Sequence, residues 1–177
     1  VKLRISSLKN RFDEILEHRR MRKKFITPRF LLIHSFAHLM INRLVFECGY
    51  AAASIRERIY VSNIEGHEMS GLLLYTAAGD FDGSLGGLVR MGKPGNLEPV
   101  IQNAINDSQW CSSDPVCMEL GEGSGQGPDS CNLAACHSCC LVPETSCEEF
   151  NRFLDRGLVS GKLEGTSFDK SIAFFDL

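Results

Sequence analysis

The chain has 177 residues, which is enough for one domain with a hydrophobic core. Its hydrophobic content of 44% and charged content of 23% are those of an ordinary globular protein, and its eight cysteines are too few for a small disulfide scaffold. The net charge of −3 is unevenly distributed, because residues 1–24 carry nine Lys or Arg against three Asp or Glu and the remainder is acidic. We therefore predict a basic N-terminal helix or arm over residues 1–27 and a zinc-binding domain, argued below, over residues 28–177.

The first part of the chain predicts two helices. Residues 7–21 place apolar side chains at helical spacing and charged side chains on the other faces. Pro28 suits the first turn of a second helix, and Gly49 is a natural stop after it. The apolar stretch over residues 30–48 is nearly long enough to cross a bilayer, but five polar or charged residues interrupt it: His34, His38, Asn42, Arg43 and Glu47. We predict a buried central helix and no membrane span.

The rest of the chain predicts shorter elements. They are a helix that runs into a strand at 51–61, a buried strand at 71–77, a helix at 96–110, a flexible Gly- and Ser-rich loop at 121–130 and a terminal strand at 171–177. Capping-box patterns that begin at Thr145 and Ser146 predict a last helix, with an apolar stripe that ends at Leu158. The expected fold class is α+β: a mostly helical single domain with a small β-sheet and a four-cysteine zinc site.

The zinc site is predicted from the cysteines, seven of which lie between Cys111 and Cys147. Cys136 and Cys139 form one C-x2-C knuckle, which is typical of structural zinc. Cys147 would lie in the first turn of the last helix, where the helix dipole stabilises a thiolate. With Cys117, these three form the expected cage, and Cys111 either replaces one of them or lies close by. We predict one structural Zn2+, with disulfides, a redox pair and an iron–sulfur cluster as less favoured alternatives.

Two histidines lie four residues apart on one face of the predicted central helix. The spacing of His34 and His38 is that of H-E-x-x-H metalloproteases, but Ser35 stands in the place of the essential Glu. We interpret the pair as hydrogen-bonded histidines of a core or an interface, with an auxiliary metal contact as the alternative. Residues 82–87, "DGSLGG", indicate a close turn, with anion binding as the alternative. Since the chain has no P-loop and no Ser-His-Asp set, we predict no enzymatic activity and no small-molecule substrate.

Five long segments occur in one order along the chain: PRFLLIHSFAHLMINRL, ECGYAAASIRERIY, GLLLYTAAGDFDGSLGGL, CSSDPVC and NLAACHSCCLVPETSCEEFNRFLDR. Together they closely resemble the zinc-binding module at the C-terminus of MrfA-type superfamily-two DNA helicases, in the version found in the DISARM anti-phage system. The resemblance implies one zinc held by four cysteines. The residues that match the family's cysteine positions are Cys111, Cys117, Cys136, Cys139 and Cys147. Cys131 and Cys140 are not favoured as ligands.

The resemblance also implies partners, because modules of this family are attached to a nucleic-acid motor. The first hypothesis is therefore a non-catalytic accessory module of a helicase-containing anti-phage complex, which docks to a helicase-like partner of the DrmA kind. The alternative is a stand-alone module that contacts DNA or RNA phosphates through basic side chains of the arm. Those side chains are Arg19, Arg20, Arg22, Lys23 and Lys24. With no secretory signal and Val as its first residue, the chain is expected to be a fragment of a cytoplasmic protein.

Overall fold

The structure is a computed structural model that describes residues 2–19, 24–76, 86–120, 124–161 and 173–175. The described residues form six α-helices and one two-stranded sheet: α1 Lys2–Arg19, α2 Pro28–Cys48, β1 Ile55–Ser62, β2 Met69–Thr76, α3 Gly87–Met91, α4 Leu97–Asp107, α5 Val116–Leu120 and α6 Gly157–Ser160. This confirms the predicted α+β class. Four of the six residues of the "DGSLGG" turn, 82–85, lie outside the described residues, and so do four of the seven residues of the predicted terminal strand.

Helix α2 is the centre of the fold, and local sequence signals set both of its ends. Thr27 Oγ1 accepts a hydrogen bond from Phe30 N at 3.1 Å, and Pro28 occupies the first turn. Gly49 ends the helix at φ 68°, a conformation that costs glycine little. Within the described ranges α2 alone is long and apolar enough to cross a membrane, but 56% of its apolar window is buried inside the protein. Helix α2 is therefore a core element of the fold.

Strands β1 and β2 form an antiparallel hairpin that packs against α2. The register runs from Ile55 opposite Thr76 to Ser62 opposite Met69. The strand predicted at 71–77 is thus β2, but the prediction that it is buried was wrong: no residue of β2 is fully buried, and Leu73 is 48% exposed. A two-stranded hairpin that packs on α2 leaves much of its surface in contact with solvent. The predicted change from helix to strand within 51–61 is a short 3-10 turn followed by β1. Because side chains alternate along a strand, Ile55 and Glu57 point to the same face, and both are buried.

Two hydrophobic clusters pack against different parts of α2. The first joins α2 to α4 and to residues near the C-terminus, including Val142 and Leu154. The second joins the N-terminal half of α2 to α1, and its aromatic centre is Phe12 edge-on to Phe153 at a centroid distance of 4.8 Å. Helix α1 therefore has a buried apolar face shared with the rest of the chain. The division of the chain at residue 27 stays a prediction.

The helix predicted from residue 145 is not formed, and this prediction was wrong. Residues 144–146 make a single 3-10 turn, and Asn151 and Phe153 have φ values of 58° and 65°, which no α-helix contains. Long-range bonds replace the helix: the Asn151 amide bonds both backbone groups of Val142, at 3.0 and 2.7 Å, and Phe153 N donates to Cys131 O at 2.8 Å. Burial of the Phe153 ring outweighs the local capping signals.

The Gly- and Ser-rich loop also differs from its prediction as a flexible segment. In its described part, residues 124–130, the backbone of Gln126 pairs with that of Asn132 in an isolated β-bridge. The Gln126 side chain donates to Cys117 O at 2.7 Å, so the loop is tied to the cysteine region. A side chain at Gly127 would collide with Asn132, and this close approach explains the glycine.

Candidate metal centre

Four cysteine sulfurs from two parts of the chain meet at one point. The Sγ atoms of Cys111 and Cys136 lie 3.5 Å apart, those of Cys136 and Cys139 3.7 Å, and those of Cys117 and Cys139 3.8 Å. A disulfide bond is about 2.05 Å long, and all eight cysteines are free thiols. A tetrahedral zinc ion with Zn–S bonds of about 2.3 Å would place its sulfur ligands about 3.8 Å apart. We refer to Cys111, Cys117, Cys136 and Cys139 as the four-cysteine cluster, and its donor set fits one structural zinc.

Two short loops bring these sulfurs together. Cys111 lies in the turn between α4 and α5, and Cys117 is the second residue of α5. Cys136 and Cys139 belong to a tight turn in which Cys139 N donates to Cys136 O at 3.2 Å. Backbone N–H groups point at two of the sulfurs: Ser113 N is 3.4 Å from Cys111 Sγ, and Cys136 N is 3.3 Å from Cys139 Sγ. Such donors favour the thiolate form that a metal requires.

Without a metal, the thiols of the four-cysteine cluster differ in pKa. A hydrogen bond from the Cys139 thiol lowers the pKa of Cys117 to about 5, and the same bond raises the pKa of Cys139. Burial raises the pKa of Cys111. At neutral pH the cluster therefore retains protons that a divalent cation would displace on binding.

A buried arginine lies beside the four-cysteine cluster. The side chain of Arg156 is 0% exposed; its Nη1 donates to Ser108 O at 2.9 Å, and its Nη2 pairs with Asp114. Asp114 in turn accepts a hydrogen bond from Cys111 N at 2.9 Å. Burial opposes the charge of Arg156, but the sulfurs of Cys139 and Cys117 and the Asp114 carboxylate outweigh it and raise the pKa of Arg156. Four thiolates with one divalent ion would carry a net charge of −2, which this guanidinium would partly neutralise.

Cys147, the fifth predicted cysteine, does not lie with the other four. Its sulfur is 3.3 Å from His34 Nε2, in a separate group with His38 and Glu57. The prediction assumed a helix N-terminus here, but Cys147 is in extended conformation at φ −110°. Burial and the Glu57 carboxylate raise the pKa of the Cys147 thiol, and burial lowers the pKa of His34.

The two cysteines that the sequence did not favour lie outside both groups. Cys131 belongs to the second hydrophobic cluster, beside Phe153 and Leu133. Cys140 is buried in the first hydrophobic cluster, and its carbonyl oxygen bonds His38 Nδ1 at 2.9 Å. Both behave as small apolar core residues.

Two of the five basic residues predicted to contact nucleic acid lie within the described ranges, and both have acidic partners. Arg19 pairs with Asp129 at 2.8 Å, although its side chain is 60% exposed. Lys24 pairs with Glu149, and its Nζ lies 4.4 Å from the centre of the Phe30 ring. Arg20, Arg22 and Lys23 lie outside the described residues.

Sequence reasoning missed two buried charged residues: Glu57, which lies with His34, His38 and Cys147, and Arg156, which lies beside the four-cysteine cluster. Glu57 had a usable signal, because alternation along the strand places it between Ile55 and Ile59 on the inward face. A carboxylate at such a position predicts a buried polar partner. Arg156 had no comparable signal, since it follows an irregular segment without periodicity.

These features define a small α+β zinc-binding domain with a four-cysteine cluster beside its central helix. The chain belongs to the MrfA Zn-binding domain family, whose family model matches residues 36–140, a stretch that includes the whole four-cysteine cluster. It is also similar to the DISARM protein DrmB of Bacillus paralicheniformis, with 44% identity over 130 residues. That match covers 73% of this chain and 22% of the relative, so the chain spans about a fifth of the relative's length.

Proposed function

We propose that this chain is a non-catalytic zinc-binding accessory module of a helicase-containing, DNA-processing complex of anti-phage defence, and that it acts in the cytoplasm. The observation that carries the proposal is the convergence of four cysteines within the stretch that matches the MrfA Zn-binding domain. The 44% identity to a DISARM protein supports the defence context.

The proposed zinc ligands are the four members of the four-cysteine cluster. Their sulfur–sulfur distances of 3.5 to 3.8 Å agree with tetrahedral coordination, and a full set of four thiolates leaves no position for a reacting water. The ion would hold the turn between α4 and α5 against the 136–139 turn. Its role in the proposal is therefore to shape a surface.

The proposed partner is a helicase-like protein of the DrmA kind. An exposed apolar groove lies where the N-terminal end of α2 meets β1, lined by Phe30, Ile59 and Val61. Phe25 and Ile64 flank it with 87% and 68% of their surface exposed. Exposed apolar patches of this kind mark protein contacts. We place the helicase-like partner on this groove.

Contact with DNA is the second candidate function, and the proposed contacts are the basic side chains of segment 19–24. Arg19 and Lys24 already pair with acidic side chains, which reduces the charge available to a phosphate. Docking to a protein therefore ranks ahead of DNA binding.

The experiment is a binding titration of the zinc-loaded chain against the helicase-like subunit of the same defence system. We expect a complex that the Phe25→Ser/Ile64→Ser variant weakens at least tenfold. Phe46→Ser is the matched control, because Phe46 is 75% exposed and lines a separate depression between α2 and α4.

Absence of a complex, together with DNA affinity that falls steeply with salt, would contradict the docking proposal and favour the stand-alone module. Reversal of charge at Arg19, Arg20, Lys23 and Lys24 should then abolish the DNA affinity.

A further inference from the structure

A second group of metal-ligating side chains lies in the core, separate from the four-cysteine cluster. His34 and His38 come from adjacent turns of α2, Glu57 comes from β1, and Cys147 comes from the C-terminal part of the chain. All four are buried, with exposed fractions of 0%, 0%, 2% and 7%. His34 Nε2 lies 3.0 Å from Glu57 Oε1 and 3.3 Å from Cys147 Sγ, and His38 Nε2 lies 3.6 Å from the same carboxylate oxygen.

The orientation of His38 leaves a ring nitrogen available for a cation. His38 Nδ1 donates its proton to Cys140 O at 2.9 Å, so Nε2 carries a lone pair directed at the group. A metal-bound histidine is commonly held in this way, by a hydrogen bond from its other nitrogen to a carbonyl. Among the described residues His38 Nε2 and Glu57 Oε2 have no hydrogen-bond partner, and neither does His34 Nδ1. Buried polar atoms without partners are unfavourable, and a bound cation would satisfy those that face it.

The sulfur of Cys147 has hydrogen-bond donors that would support a thiolate once a cation is bound, whereas burial and the Glu57 carboxylate keep the free thiol protonated. Two backbone N–H groups point at it, from Glu149 at 3.3 Å and from Asn151 at 3.2 Å. A thiolate is a far better acceptor for two such donors than a neutral thiol. Cys147 and Glu57 together would carry a charge of −2, which a divalent cation cancels. The neutral product suits a core that excludes water.

We propose that His34, His38, Glu57 and Cys147 bind a second, structural metal ion of the zinc class. Two imidazoles, one thiolate and one carboxylate are a borderline donor set that zinc accepts in tetrahedral geometry. All four ligands are buried, so no open position faces solvent and the ion has a structural role. It ties α2, β1 and the 147–151 segment together. The alternative is a metal-free network of hydrogen-bonded side chains.

The test is a metal count by elemental analysis of protein expressed with added zinc and freed of loosely bound ions by gel filtration. We expect about two zinc ions per chain in the wild type, and one in either Cys147→Ser or His38→Gln. Cys136→Ser, which acts on the four-cysteine cluster, should also retain one. Cys48→Ser is the control, because Cys48 belongs to neither group, and it should retain two.

X-ray absorption at the zinc edge tests the second metal site in the wild type alone. The test therefore does not depend on whether the variants fold. Two occupied sites would average about 2.5 sulfur and 1.5 nitrogen or oxygen ligands per zinc, whereas the four-cysteine cluster alone would show about four sulfurs. A single zinc per chain, or two that both persist in Cys147→Ser, would overturn the second site. Neither result depends on the docking proposal.

Discussion

The buried guanidinium of Arg156 makes the sharpest prediction. In Arg156→Met the Asp114 carboxylate, which is 6% exposed, loses its charged partner, and the zinc–thiolate group loses its adjacent positive charge. Breaking a buried ion pair from one side costs about 3–5 kcal/mol. With a urea m value of about 2 kcal/mol per M, the unfolding midpoint should fall by about 2 M. Zinc affinity should fall about 10–100-fold, as is usual when a group that supports metal ligands is lost.

The assays are urea unfolding in a zinc-buffered solution and competition with a chromogenic chelator. Arg156→Met/Asp114→Asn should recover part of the lost stability, because no unpaired carboxylate is left in the core. Arg43→Met is the matched control: Arg43 pairs with Glu47 and Asp107 at the surface, and its loss should cost no more than about 1 kcal/mol. If Arg156→Met were no less stable than this control and bound zinc equally well, the proposed charge compensation would be refuted.

Two further predictions rest on single buried side chains. Cys117→Ser should lose the zinc of the four-cysteine cluster, whereas Cys131→Ser, which changes a core cysteine, should keep it; elemental analysis separates the two, and equal zinc contents would count against the ligand assignment. Phe153→Ala should lower the free energy of unfolding by about 3–5 kcal/mol, because a fully buried ring packed on Phe12 is removed. Phe150→Ala, at a ring that is 59% exposed, should change the free energy of unfolding by less than about 0.5 kcal/mol. Urea titrations of both variants measure the two losses, and comparable losses would show that burial of the Phe153 ring is not the cause.

The parts of the fold that could be predicted depend on residues close together in sequence. Thr27, Pro28 and Gly49 mark the ends of α2, and helical periodicity marks the apolar stripe of α1. The C-x2-C spacing of Cys136 and Cys139 similarly predicts a turn that directs two sulfurs to one side. Each of these signals operates within one or two turns of chain, so no tertiary information is needed.

The last predicted helix shows where such reasoning fails. Its capping boxes at Thr145 and Ser146 are genuine local signals, but the bonds from Asn151 to Val142 and the burial of Phe153 stabilise a different backbone. The prediction of Cys147 as a zinc ligand rests on that helix and on the family's cysteine pattern. Once the helix is absent, the sulfur lies beside His34, more than a hundred residues away in sequence.

The amino-acid sequence by itself determined the α+β class, the central helix with its ends, and the presence of a cysteine-rich metal-binding region. Only the tertiary structure decided which sulfurs meet, that Arg156 lies beside them, and that His34, His38, Glu57 and Cys147 form a group of their own. The reason is the range of the forces involved. Helix caps, helical periodicity and C-x2-C spacing depend on residues that are close together in the sequence. Burial and charge compensation depend on which distant segments pack together and exclude water.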